Sequence, residues 1–424
     1  MASNVRGGGP VALGFDLSRP TRGASQGGSK AVAPVAARPV QTQAKDPLMQ
    51  VSKPKPARES FAFRLKPRDI RRHLDRFVVR QDEAKKVLSV ALCDHFQHVR
   101  LTREGDVAPH YVKQNVLILG PTGVGKTHLI RSAAELIGVP FVKADATKFS
   151  ETGYVGGDVE ELVRDLIRKA NGDLERAAQG IVYLDEIDKI ASREGGSRDV
   201  SGRGVQTNLL KLMEDADVPV QPPGEAASSP GPRGREQTIN TRHILFIASG
   251  AFAGLGEVVR KRLRQAGAGD ARGKEGAPAS EANADAAALA EQSTTRDFID
   301  YGFEPEFIGR LPVRVSCRSL DAGDLFHVMR DSESSVLRQY ERAFRAYGIA
   351  VQFREAGLRR IAELAAAENT GARGLMTVCE RILRDFKFEL PSSRVRELVV
   401  DRAVVDDPAA TLRALLRRKR SARA

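Results

Sequence analysis

The sequence predicts an α/β protein with a mostly parallel sheet, helices on both faces, and a smaller, mainly helical region towards the C-terminus. Three observations predict it. Short apolar runs at Val116–Leu119, Phe141–Ala144, Ile181–Leu184 and His243–Ala248 read as buried strands, and helical spacing separates them. The first run passes through a Gly-rich turn into a helix over Lys126–Ile137, whose stripe is Leu129, Ala133 and Leu136. After Leu320 the apolar spacing turns helical to about Pro391, and a short run at Leu398–Val400 reads as a further strand. Upstream, a helical pattern starts at Asp69 and runs through Ile70, Leu74, then Ala84, Val87, Leu88, Val90, Ala91 and Leu92.

Composition narrows the class. The 424 residues are 41% hydrophobic, enough to bury a large core, yet no run approaches the roughly 18 to 20 apolar residues that cross a bilayer. The first 20 residues lack the apolar centre of a secretion signal, so the expected location is the cytoplasm. Cys93, Cys317 and Cys379 are far apart and form no CxxC pair, which predicts reduced thiols and no zinc site. The net charge of +13 sits almost wholly in the ends: residues 1–60 carry nine Lys/Arg against three Asp/Glu, and residues 408–424 carry six with no acid. The near-neutral middle argues against a nucleic-acid protein.

The expected organisation has five parts. Residues 1–60 form a basic tail rich in Gly, Ala, Pro, Ser and Arg, too poor in apolar groups to fold. Residues 61–316 form a large nucleotide-binding domain, with a low-complexity mobile insert near 266–292. Residues 317–405 form the small domain, and residues 406–424 a second basic tail.

Two motifs carry the chemistry. Gly120-Pro121-Thr122-Gly123-Val124-Gly125-Lys126-Thr127 fits the phosphate-binding pattern GxxxxGK[ST]. Its glycines let backbone N–H groups turn inward around phosphates, and the following helix adds the positive end of its dipole. Lys126 is placed to reach the β- and γ-phosphates of ATP, and Thr127 to hold Mg²⁺. The apolar strand Ile181–Leu184 then delivers Asp185 and Glu186 at its C-terminal end, where α/β sheets bind ligands. Asp185 is the expected Mg²⁺ partner, and Glu186 the residue that polarises the attacking water. Taken alone, Arg310 and Arg373 read as ordinary surface or salt-bridge residues.

Several stretches together resemble the ClpX family of AAA+ protein unfoldases: Gly120–Thr127, Tyr183–Lys189, Arg198–Gly202, Pro305–Pro312 and Gly371–Leu375. The resemblance runs from about Lys66 to Pro391. It implies a homo-hexameric ring that uses ATP and Mg²⁺ to thread unfolded or tagged proteins through a pore. It gives Arg310 the part of an arginine finger and Arg373 that of a second sensor. It makes Gly153-Tyr154-Val155-Gly156 the substrate-gripping pore loop and Arg198–Gly204 a second one. It places Val79, in Phe77-Val78-Val79-Arg80-Gln81, beside the adenine. HslU shares some of these words, but its large inserted domain has no room between Gly157 and Gly180.

Four departures from the family stand out. The N-terminal zinc domain is missing. Arg80 replaces a glycine, and Arg203 replaces an acid. The 266–292 stretch lacks the aliphatic-Gly-Phe tripeptide that docks the family on a ClpP-type peptidase. The alternatives are a remodelling ATPase with no protease partner or a nucleic-acid motor on the same fold.

Overall fold

The computed structural model describes residues 63–106, 111–150, 157–192, 200–220, 237–266, 289, 291–333 and 335–421. The N-terminal tail, the pore loop Gly153–Gly156, Arg198, Asp199 and nearly all of the 266–292 stretch lie outside the described residues.

A five-stranded, all-parallel sheet forms the centre, in the order β2 (Phe141–Asp145), β3 (Ile181–Asp185), β6 (Leu245–Gly250), β1 (Val116–Leu119) and β7 (Val313–Ser316). Two further strands, β4 (Asp217–Pro219) and β5 (Thr238–Asn240), pair antiparallel beside it. Because side chains alternate across a strand, each central strand feeds two cores. Leu117, Leu119, Val182 and Leu184 pack on one face, and Val116, Ile118, Ile181 and Tyr183 on the other. Burial on both faces explains why these strands read as unbroken apolar runs.

Three elements differ from the sequence reading. The pattern beginning at Asp69 is two helices, Pro67–Asp75 and Asp82–Arg103, broken by a turn in which Arg80 and Gln81 are both left-handed (φ 59° and 61°). Strand β7 was not anticipated: its four residues alternate apolar and polar, and only one is fully buried. Likewise β8 (Ala350–Phe353), half-exposed, pairs parallel with β9 (Glu397–Val400) inside the region read as helical. That region has its own apolar cluster, centred on Leu325, Phe344, Ile361, Val378, Leu383 and Phe386. Cys93, Cys317 and Cys379 are buried free thiols.

Candidate active site

A cleft of about 540 Å³ opens at the C-terminal ends of β1 and β3. The phosphate loop forms its floor. Gly125 precedes the helix Lys126–Ile137 with φ 96°, and Gly123 has φ 79°, a conformation that side chains disfavour. Gly123 also abuts the later chain. A Cβ there would lie 2.1 Å from the Thr370 carbonyl oxygen, and the Ala372 N–H donates to the Gly123 carbonyl at 2.9 Å. Gly371 faces it in return, since a Cβ on Gly371 would lie 2.7 Å from the Gly123 oxygen. Two backbones thus touch where no side chain fits.

Lys126 is buried and donates to the carbonyls of Gly120 (2.5 Å) and Pro121 (2.8 Å). Loss of water holds its pKa below the ordinary lysine value, as does the Arg373 charge more weakly. An ammonium with so little hydration gains strongly from an arriving anion.

Asp185 stands opposite at the end of β3. Its Oδ1 accepts from Ser249 Oγ at 2.9 Å, and Tyr183 OH approaches Ser249 Oγ at 2.6 Å. Its Oδ2 accepts from Thr127 Oγ1 at 3.3 Å and from Lys143 Nζ at 2.8 Å. Burial works to raise the carboxyl pKa, but hydrogen bonds from Lys143 and Ser249 outweigh it, so the group stays below its ordinary value and charged. A hydroxyl and a carboxylate a few ångströms apart, with room for phosphate oxygens, are the oxygen donors that Mg²⁺ takes. Glu186, exposed in the cleft and left-handed at φ 58°, is clear of that network on its side-chain end.

The other walls come from distant segments. Phe77, Val78 and Val79 line one side, with Leu320, Val328 and Val336 nearby. Arg80 points away from the cleft: its guanidinium pairs with Asp321 at 3.0 Å and also with Asp324. Those two acids form the capping box of the helix Ala322–Arg330. Gln81 clamps the Arg318 backbone from both sides, donating to its carbonyl (2.7 Å) and accepting from its N–H (2.8 Å). Arg373, in the first turn of the helix Ala372–Glu389, lines the cleft.

Arg310 does not line it. It lies exposed at the end of the helix Pro305–Gly309, ahead of β7, with its guanidinium 2.7 Å from Glu214. Buried Asn115 holds its backbone: Nδ2 donates to the Arg310 carbonyl at 3.0 Å, while Oδ1 accepts from the Phe246 N–H at 3.1 Å. The other charge departure, Arg203, pairs with Glu304 at 2.9 Å.

The structure therefore gathers Thr122–Thr127, Asp185, Glu186, Val79 and Arg373 around one cleft, sets the Gly120 and Pro121 carbonyls on Lys126, and leaves Arg310 outside the cleft. Sequence reading missed Ser249, Lys143 and Asn115. Ser249 could have been found from its place at the end of a strand adjacent to Asp185. The other two carry no local pattern.

A parallel sheet with this strand order, a phosphate loop after β1 and paired acids after β3 define an ATPase of the AAA class, and the AAA domain (Cdc48 subfamily) family matches residues 112–314. The chain is 42% identical over 358 residues to the ATP-dependent Clp protease ATP-binding subunit ClpX 3 of Methylococcus capsulatus, covering 81% of each. It is 39% identical to the ClpX subunit of Borrelia duttonii, over 79% of this chain and 77% of the relative. It is 38% identical to that of Treponema denticola, over 80% and 81%. The chain belongs to the ClpX family. No helix among the described residues is long and apolar enough to cross a membrane.

Proposed function

We propose that this chain is one subunit of a hexameric ring that spends ATP on pulling polypeptides apart through a central pore. The observation that carries this reading is the separation of Arg310 from its own cleft. A cation exposed outside its own cleft serves a neighbour's nucleotide more readily than its own. In the ring, Lys126 and the loop N–H groups hold the β- and γ-phosphates. Thr127 and Asp185 hold Mg²⁺, which supplies charge neutralisation at the phosphates. Glu186 polarises water in line with the γ-phosphorus, Arg373 senses the nucleotide, and the neighbour's arginine stabilises the charge that develops on transfer. Val79 packs against the base. Tyr154, with Gly153, Val155 and Gly156 around it, grips the substrate. The boundaries that fit this scheme are a large domain over 61–316, a small one over 317–405, and basic tails outside them.

Two experiments test it. Wild-type chain with ATP should unfold a tagged fluorescent protein, whereas Tyr154→Ala should hydrolyse ATP and leave fluorescence intact; failure of the wild type on every unstructured tag tried would sink the reading. Mixing Arg310→Ala with Lys126→Ala subunits should restore some ATPase, because some interfaces then carry both intact parts.

A second reading, remodelling without a protease, is favoured by the 266–292 stretch. It offers Gly, Ala and charge, and its one larger aliphatic, Leu289, has no Gly-Phe neighbour. Burying an aliphatic and an aromatic side chain is worth roughly 1.5 to 3 kcal/mol each, repeated around a ring. Without that anchor, ATP-dependent degradation by this chain with its own organism's ClpP-type peptidase should be absent.

A further inference from the structure

Lys143 lies on β2, the edge strand of the central sheet, in register with Tyr183 of β3. Its side chain crosses to the cleft. Nζ is 2.8 Å from Asp185 Oδ2, donates to Thr127 Oγ1 at 3.4 Å, and stands 5.8 Å from the centre of the Tyr183 ring. The two Asp185 oxygens are thereby divided. Oδ1 is taken by donors fixed in the fold, Ser249 Oγ and the Glu186 N–H. Oδ2 is the oxygen that faces Thr127, and the lysine ammonium holds it.

From this arrangement we infer that Lys143 is a built-in counter-ion that competes with the divalent cation for Asp185 Oδ2 and so sets how much Mg²⁺ the site requires. The inference rests on the assignment of Thr127 and Asp185 to the metal under the proposed function. A half-buried carboxylate needs a positive partner. A tethered ammonium meets that need whenever the metal is absent, so the site is not left with bare negative charge when product and metal depart together. The same tether works against the incoming cation, because one carboxylate oxygen cannot keep the ammonium at 2.8 Å and also enter a tight metal shell. On metal binding Lys143 must swing towards solvent, which its side-chain exposure of 36% permits.

The test titrates Mg²⁺ into the full chain with a non-hydrolysable fluorescent ATP analogue and reads the Mg²⁺ concentration giving half-maximal tight binding. Lys143→Met should lower that concentration about tenfold, the scale expected for removing a close like charge from a partly exposed site screened nearly as well as water. Lys143→Gln, which keeps a hydrogen-bond donor, should do the same and guards against misfolding of the methionine variant. Both variants should also melt earlier than wild type in chelator without nucleotide, and Asp185→Asn should cancel that loss in the double variant. Asp185→Asn alone should raise the Mg²⁺ requirement. An unchanged Mg²⁺ midpoint in both lysine variants, with Asp185→Asn still raising it, would overturn the counter-ion role and leave the metal assignment standing. An unchanged midpoint in Asp185→Asn would overturn the metal assignment itself, and the inference with it.

Discussion

Two lysines flank β1 of the central sheet, and they lose water for different ends. Lys126 follows β1 and lies buried in the phosphate loop, its ammonium resting on two carbonyls. Lys113 precedes β1 and donates to the Thr241 carbonyl at 2.9 Å, with its charge 5.1 Å from the centre of the Phe246 ring. Burial lowers the pKa of both, and brings Lys113 down to about 7. Around Lys113 sits a polar cluster that does not line the active-site cleft. His98 stacks on Tyr111 at 3.4 Å, His95 bonds the His243 carbonyl at 3.0 Å, and burial lowers His95 to about 3 and His243 to about 4. The C-terminal side of the sheet keeps its cation facing an open cavity. The N-terminal side discharges its titratable groups and packs them. Desolvation alone therefore does not mark a functional lysine. The space in front of it does.

The largest expected effect sharpens this contrast. Lys126→Ala should weaken nucleotide binding by at least about a hundredfold, since charge-assisted bonds contribute roughly 1.5 to 3 kcal/mol each. Calorimetric titration checks it. Glu186→Gln should bind normally and cease to turn over, because only the water loses its partner. Lys113→Met should leave nucleotide affinity unchanged, and a loss there would break the contrast.

Next in size is the contact between two glycine backbones. Gly123→Ala would bring a Cβ to 2.1 Å from a carbonyl at φ 79°, so something must shift. A stability loss of about 1 to 3 kcal/mol, measured by urea unfolding, should accompany weaker nucleotide binding.

A smaller effect concerns pH. With its folded pKa near 7 against an ordinary value of 10.5, Lys113 binds fewer protons folded than unfolded across that interval. Stability should therefore climb as pH rises from 7 towards 10.5, by up to about 1.4 kcal/mol per unit. Lys113→Met should remove this climb. His95 and His243 act on the acid side: both stay neutral when folded, so stability should fall as pH drops below 6.5.

The smallest effect belongs to Arg80→Gly. Glycine relieves a left-handed residue, worth about 1 to 2 kcal/mol, and forfeits a partly exposed ion pair worth up to about 1 kcal/mol. Net stability should rise by no more than about 2 kcal/mol. Nucleotide affinity should lose some of its salt dependence, because the clasp onto Asp321 and Asp324 is gone.

The phosphate side of the cleft was legible in the sequence because it is local: eight consecutive residues and one strand end specify it. The wall formed by Phe77, Val78 and Val79 was only partly legible. Val79 was found through resemblance, but nothing in the run from Asp69 to Leu92 announces that Arg80 and Gln81 break it, since the stabilising partners Arg318, Asp321 and Asp324 lie far along the chain. Strands β7 and β8 escaped for a related reason. Four residues, half-exposed, carry too little periodicity to stand apart from neighbouring helices. The His95–Lys113–His243 cluster left no trace, because its members are joined only by the fold.

Asn115 carries one further consequence. Its amide bridges the backbone of β6, through Phe246, to the backbone of Arg310. Were Arg310 to serve a neighbouring subunit as proposed, Asn115 would be one mounting by which the sheet carries that arginine. A residue that touches no nucleotide would then tune hydrolysis in the adjoining subunit through the backbone it holds still.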